Sequence, residues 1–158
     1  MRKICLLVII AGLLMSAPVF AADTIKIGEI ATITGDFAAF GDAEVQAIKL
    51  AVKEINEKGG VLGKKLEVIM YDCRTRNEDM VNAARRLTKQ DKVTAVIGPS
   101  GSGLCIAAAS VFNDATVPHI GTLPTNPSLT VDEIGRVRRY NFRICFTDPC
   151  QGTILSLF

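Results

Sequence analysis

Two turns in this chain bring hydroxyls and backbone N–H groups to places where a small charged molecule could be held. They are Gly98-Pro99-Ser100-Gly101-Ser102-Gly103 and Pro124-Thr125-Asn126-Pro127. Each follows an apolar run that reads as a buried strand. The first leads into a helix expected to open at Ser102. The first N–H groups of a helix lack internal partners and lie at the positive end of its dipole, which suits a carboxylate or a phosphate. Ser102 adds a hydroxyl there; the competing assignment is that Ser102 only caps its own helix. In the second turn, Thr125 could accept from an ammonium group and offer its N–H to a carboxylate. Carbonyls just before it, such as that of Leu123, could accept from the same ammonium. The alternative is an Asn-Pro turn with a solvated threonine. Phe40 follows the first expected strand by a loop, so it should reach the same edge. There it would wall an apolar ligand body, or else serve as a core residue at the start of the first helix.

Other chemistries lack their parts. A phosphate loop needs a Lys-Ser/Thr pair after the glycines, and a dinucleotide fingerprint should follow the first strand, not the third. Gly98-Pro99-Ser100-Gly101-Ser102 misses the last glycine of an esterase elbow. His119 is the only histidine; it falls in or beside an expected strand, and no Ser–His–acid set can be assembled. Asp36, Asp42, Asp72 and Asp148 fall in or near turns, where aspartate commonly caps. No CxxC occurs and His119 has no partner histidine, so neither a metal nor a cofactor is expected. The residues favour a ligand-binding lobe over an enzyme.

The elements that must position these turns alternate in order. Thr24 to Ile30 alternates apolar and polar residues as a strand does. Ala43, Ala47, Ile48, Ala51, Val52 and Ile55 recur at helical spacing, and Gly59-Gly60 supplies a left-handed stop. Leu66 to Tyr71 is a second strand. Asn77 should cap a helix with Met80 or Val81, Ala84 and Leu87 inward. Lys92 to Ile97 is a third strand, Ser102 to Phe112 a third helix, Thr116 to Gly121 a fourth strand, and Tyr140 to Ile144 a fifth. Asp148-Pro149 reads as the N-cap and first residue of another helix. Strand and helix in strict turn predict an α/β fold, a parallel sheet with helices on both faces. In such a sheet the loops at the carboxyl ends of the strands share one edge, where ligands bind. Leu123 to Val137 is the one long irregular stretch and falls where a binding loop belongs.

The N-terminus predicts export. Arg2 and Lys3 precede a short apolar run, Ile4 to Leu14, and Val19-Phe20-Ala21 offers a cleavage site, so residues 1–21 read as a secretory signal. A membrane span would need about 20 apolar residues, and none is expected once the signal is removed. The expected location is periplasmic or secreted. Without Arg2 and Lys3, the 18 basic residues fall to match the 16 acidic ones, which removes the electrostatic footing for nucleic acid. Cys73, Cys105, Cys145 and Cys150 allow three full pairings. Cys73–Cys105 is the favoured one, because both should lie at the same sheet edge; Cys145 and Cys150 flank a turn and could pair or stay free.

These residues carry a resemblance. Ile25 to Gly28, Thr34-Gly35 with Phe40-Gly41, and the block Ile55-Asn56-Glu57-Lys58-Gly59-Gly60-Val61-Leu62-Gly63 resemble the opening of the periplasmic branched-chain amino-acid-binding proteins. Val96-Ile97-Gly98, Pro124 to Pro127, and Phe142-Arg143 with Asp148 to Gly152 continue in that family's order. The resemblance implies two α/β lobes that close on a ligand, delivery of that ligand to an inner-membrane ABC permease, and no catalysis. It places the family's carboxylate-binding serine on Ser102, the threonine that meets carboxylate and ammonium on Thr125, the backbone carbonyl on Leu123 and the aromatic wall on Phe40. It also implies a disulfide from the loop after the second strand to the loop after the third. Residues 22–158 then correspond to an incomplete first lobe, and the chain is expected to be part of a longer protein. The ligand class implied is an amino acid or a related small amide. A sensory domain of the same fold, or an inactive truncated product, is the alternative.

Overall fold

The computed structural model describes residues 24–158, so the expected signal at residues 1–21 lies outside the described residues. In chain order the elements are β1 (Ile25–Ala31), α1 (Ala38–Glu57), β2 (Leu66–Asp72), α2 (Asn77–Arg86), a π turn (Leu87–Asp91), β3 (Ala95–Ile97), α3 (Ser102–Ala115), β4 (His119–Gly121), a 3-10 turn (Pro127–Leu129), β5 (Asn141–Arg143) and α4 (Asp148–Leu155). The five strands form one sheet in the order β2-β1-β3-β4-β5, and every pair is parallel. This is the expected α/β class. From β1 the chain steps outward to β2, then crosses back over β1 to β3. The reversal opens a crevice at the carboxyl ends of β1 and β3, the usual ligand position in such sheets. Right-handed crossovers put α1 on one face and α2 with α3 on the other.

The core lies on the α2/α3 face. Ile30 and Val96 of the sheet meet Met80, Ala84 and Leu87, and Leu104, Ala108 and Phe112. Gly28 lies directly under Leu87, and a Cβ there would stand 2.8 Å from its Cδ1. Because successive strand residues alternate in direction, Glu29 turns to the opposite face, toward α1. His119 is fully buried and stacks on Phe112 at 4.3 Å between ring centres. Its ring nitrogens meet Asn141 Oδ1 at 3.0 Å and Gly98 O at 2.7 Å. Burial holds its pKa below the ordinary value, against the pull of those two bonds. It is a core residue set between two strands, not a base facing a ligand.

Several expectations are corrected by local backbone. β3 starts at Ala95 because Lys92 adopts φ 55° in closing the π turn, and the Val93 N–H donates to Leu87 O. β4 starts at His119 because Thr116, at φ 55°, ends α3 in the left-handed region. Arg76 takes the cap position before α2, so Asn77 is its first helical residue; likewise Thr147 precedes α4 and Asp148 is helical. On α1 the buried positions are Gly41, Glu44, Val45 and Ile48. Ala43, Ala47 and Ala51 instead line an open groove of about 550 Å³ with Ile97, Leu123 and Ile144. The Cys73–Cys105 disulfide is not formed. Both are free buried thiols, and Cys105 lies in the first turn of α3 with its Sγ directed to Pro99 O at 3.3 Å. Burial pushes the Cys73 thiol up to about 11, which keeps it protonated and unreactive at neutral pH.

Candidate functional site

Three loops meet at the carboxyl edge of β1, β3 and β4. The first, after β1, is pinned by Asp72 at the end of β2. Asp72 Oδ1 accepts from the N–H groups of Ile33 (3.1 Å) and Arg74 (2.8 Å), and Oδ2 accepts from Thr34 Oγ1 (2.7 Å). Burial alone would raise this carboxyl, but these bonds together hold it below the usual range. Thr75 Oγ1 donates to Thr34 O at 3.1 Å and accepts from Phe37 N at 3.3 Å. The loop so fixed presents Phe37 and Phe40 edge to face, 6.4 Å apart. Phe40 is 55% exposed, so the alternative of a core residue is set aside.

The second loop follows β3. Gly98 has φ +86° and its N–H donates to Ile120 O at 2.9 Å. Gly101 takes the cap position of α3 without a side-chain cap, and Phe37 packs where a Cβ on Gly101 would stand. Ser102 Oγ accepts from Asn126 N at 3.3 Å. Ser102 therefore reaches across to the second hydroxyl turn and does not cap its own helix.

The third loop, after β4, is held by a residue that no signal in the sequence marks for this role. The Arg143 guanidinium, on β5, donates to Pro124 O (3.1 Å), Asn126 O (2.8 Å), Pro127 O (3.1 Å) and Thr130 Oγ1 (2.9 Å). Thr125 O accepts from Asp148 N at 3.0 Å, which ties the turn to the start of α4. Hydrogen bonds to a charged group contribute about 1.5–3 kcal/mol each when well formed, less where solvent competes. Arg143→Met is expected to cost about 1–2 kcal/mol in urea unfolding and to broaden the NMR signals of residues 124–130. Unchanged signals there would refute the clamp.

Beneath the second and third loops sits Glu44 of α1, only 8% exposed. Its Oε2 accepts from Ser100 Oγ at 3.2 Å and its Oε1 from Thr122 Oγ1 at 2.9 Å. Burial raises its pKa, and the hydrogen bonds from Thr122 and Ser100 oppose the rise. Nothing in the sequence separates this glutamate from the other charged residues of α1 except its place between Gly41, Val45 and Ile48. Above it opens a cleft of about 180 Å³, lined by Phe37, Phe40, Ser100, Gly101 and Leu123. Two of the four expected ligand residues, Phe40 and Leu123, line this cleft. Ser102 and Thr125, both half-buried, lie one and two positions beyond its lining residues Gly101 and Leu123. What this rim offers a guest is N–H groups, hydroxyls, a carbonyl and aromatic surface. That set suits a small carboxylate with an apolar body.

A family model for periplasmic binding proteins matches residues 24–154. The chain belongs to the periplasmic binding protein family. The family is a solute-binding fold and not an enzyme class. This family member is 35% identical, over 119 residues, to Leu/Ile/Val-binding protein homolog 7 of Brucella suis biovar 1; the match covers 75% of this chain and 29% of that one. Its fold matches the branched-chain amino acid substrate-binding protein LivJ of Streptococcus pneumoniae, solved with isoleucine (TM-score 0.74, 37% identity, 80% of this chain and 35% of that one). It also matches the leucine-binding protein LivK of Thermotoga maritima (TM-score 0.75, 33% identity, 85% and 36%). The chain thus spans about a third of the length of these relatives. Among the described residues, no helix is long and apolar enough to cross a membrane.

Proposed function

We propose that this chain supplies first-lobe ligand contacts of a solute-binding component of an ABC importer, which captures an amino acid or a related small amide in the periplasm. The observation that carries the reading is the bond from Asn126 N to Ser102 Oγ. It joins the two hydroxyl turns at the rim where Phe40 and Leu123 line a cleft, in a chain whose relatives are named for leucine, isoleucine and valine. In this role Ser102 and the first N–H groups of α3 hold the ligand carboxylate. Thr125 meets both carboxylate and ammonium, the Leu123 carbonyl accepts from the ammonium, and Phe40 walls the side chain. The partner is an inner-membrane ABC permease.

A rim with one carboxylate cradle and an open side makes only a few charged hydrogen bonds, at about 1.5–3 kcal/mol each before the entropy of association is subtracted. The expected dissociation constant for leucine is therefore about 1 mM or weaker. Titration of the chain with leucine, followed by amide NMR, should shift Ser102, Gly103, Leu123 and Thr125, and Ser102→Ala should abolish the shifts. Shifts centred elsewhere, none at tens of millimolar leucine, or micromolar binding would each overturn this half-site.

A further inference from the structure

The geometry points to Glu44 as a positioning residue of this site: from α1 it ties the loop after β3 to the loop after β4, and so sets the spacing of the two ligand-facing turns. The inference rests on the reading of the rim given above, but it concerns loop order, which is measurable with no ligand present. Each carboxylate oxygen of Glu44 takes a different loop. Ser100 on Oε2 stands two residues before Ser102, and Thr122 on Oε1 stands one before Leu123 and three before Thr125. The two hydroxyl oxygens lie 3.1 Å apart. Glu44 is the side chain that takes a bond from both hydroxyls at once, and it adds to the Asn126 N–Ser102 Oγ bond further along the same two loops. The fit is close on the backbone side as well. A Cβ on Gly98 would stand 2.7 Å from Glu44 Oε1, so only glycine lets the strand end pass the carboxylate.

The surroundings explain why an acid here needs such partners. From β1, Glu29 faces the same layer, 1% exposed and with its Oε1 unpaired. Lys49 of α1 acts electrostatically on Glu29, and the charge of Glu44 is felt by the Cys105 thiol of α3. No cation bonds to Glu44 itself among the described residues. A buried, uncompensated carboxylate is unfavourable, and hydrogen bonds from both loops are its compensation. An apolar residue of similar size would spare the fold that burden and lose only the tie. Stability and loop position therefore separate in a mutant.

The test is hydrogen exchange by NMR on the full chain. In Glu44→Leu, protection of amides in 98–105 and 122–126, Asn126 included, should fall by about tenfold or more, while β1 and β2 keep theirs and global stability holds or rises. Glu44→Gln can still accept from Thr122 and donate to Ser100, and should keep the loops protected to within about threefold. Thr122→Val, which cuts one arm from the other side, should loosen 122–126 by a smaller factor and decides the matter if Glu44→Leu does not fold. Loops as protected in Glu44→Leu as in the parent would overturn the assignment. So would equal loosening by Gln and Leu, a uniform loss across the sheet, or an unaffected Thr122→Val. None of these outcomes depends on leucine, so failure here and failure of the titration above are told apart.

Discussion

Gly98→Ala is expected to destabilise the chain by about 2–5 kcal/mol, whereas Gly103→Ala, five residues on, should be neutral or stabilise by up to about 1 kcal/mol. The two glycines do different things. Gly98 has φ +86°, where an L side chain costs about 1–2 kcal/mol. Its added Cβ would stand 2.4 Å from Ile30 O, near the carboxyl end of β1, and 2.7 Å from Glu44 Oε1. A central-strand carbonyl cannot move aside without disturbing its own ladder, so overpacking adds about 1–3 kcal/mol. Gly103 lies in the first turn of α3 with nothing within 4 Å of a Cβ, where alanine is the better helix former. Urea unfolding of the two variants gives the comparison directly. Equal midpoints would mean that the crevice between β1 and β3 is wider than the 2.4 Å approach requires.

What the sequence revealed follows from which forces are local. Alternation in β1 and helical spacing in α1 and α2 are set by each segment's own burial, so element order and sheet class were legible. The ends of β3 and β4 were not, because Lys92 and Thr116 turn the chain at φ 55° without a glycine to mark the place. The apolar stripe on α1 was right at Ile48, which is buried, and wrong at its alanines. Ala43, Ala47 and Ala51 look inward by hydropathy, yet the packed face holds Glu44 with Val45 and Ile48. The hydroxyl turns were legible as turns, since glycine, proline and serine mark them. Their meeting on one edge followed from the parallel sheet, but the direct bond from Asn126 N to Ser102 Oγ did not, because it depends on how two loops 24 residues apart pack together. Arg143 escaped for a related reason: three of its four partners are backbone carbonyls, which carry no sequence signal. The cysteines show the limit of edge reasoning. Cys73 packs in the larger cluster with Met80 and Leu87, whereas Cys105 packs in a smaller one with Ala109 and Leu129 and points its Sγ to Pro99 O.

Glu29→Gln is expected to stabilise the chain at pH 8 by up to about 3 kcal/mol and to change little at pH 4.5. Burial pushes the Glu29 carboxyl up from 4.5 to about 7; the neighbouring Glu44 carboxylate adds to the rise and Lys49 opposes it. Between those two pH values the folded chain keeps a proton that the unfolded chain releases. The contribution to stability is thus whole below about pH 4.5 and is lost as pH rises through 7, at about 1.4 kcal/mol for each pH unit of that window. Glutamine keeps the shape and a donor–acceptor pair and does not titrate, so the loss disappears. Glu44, also raised, slopes the same way and leaves a smaller residual dependence in the variant. Asp72, Asp79 and Asp132 are shifted downward, so their contributions are lost only as pH falls below the ordinary aspartate value of 3.8, outside this window. Urea midpoints at about pH 4.5 and pH 8 for both proteins measure the difference of slopes. Parallel profiles would show that Glu29 is ionised in the folded chain at neutral pH. The Glu29–Glu44 layer would then carry a charge on Glu29, and Glu44 would have to grip its loops beside a negative neighbour.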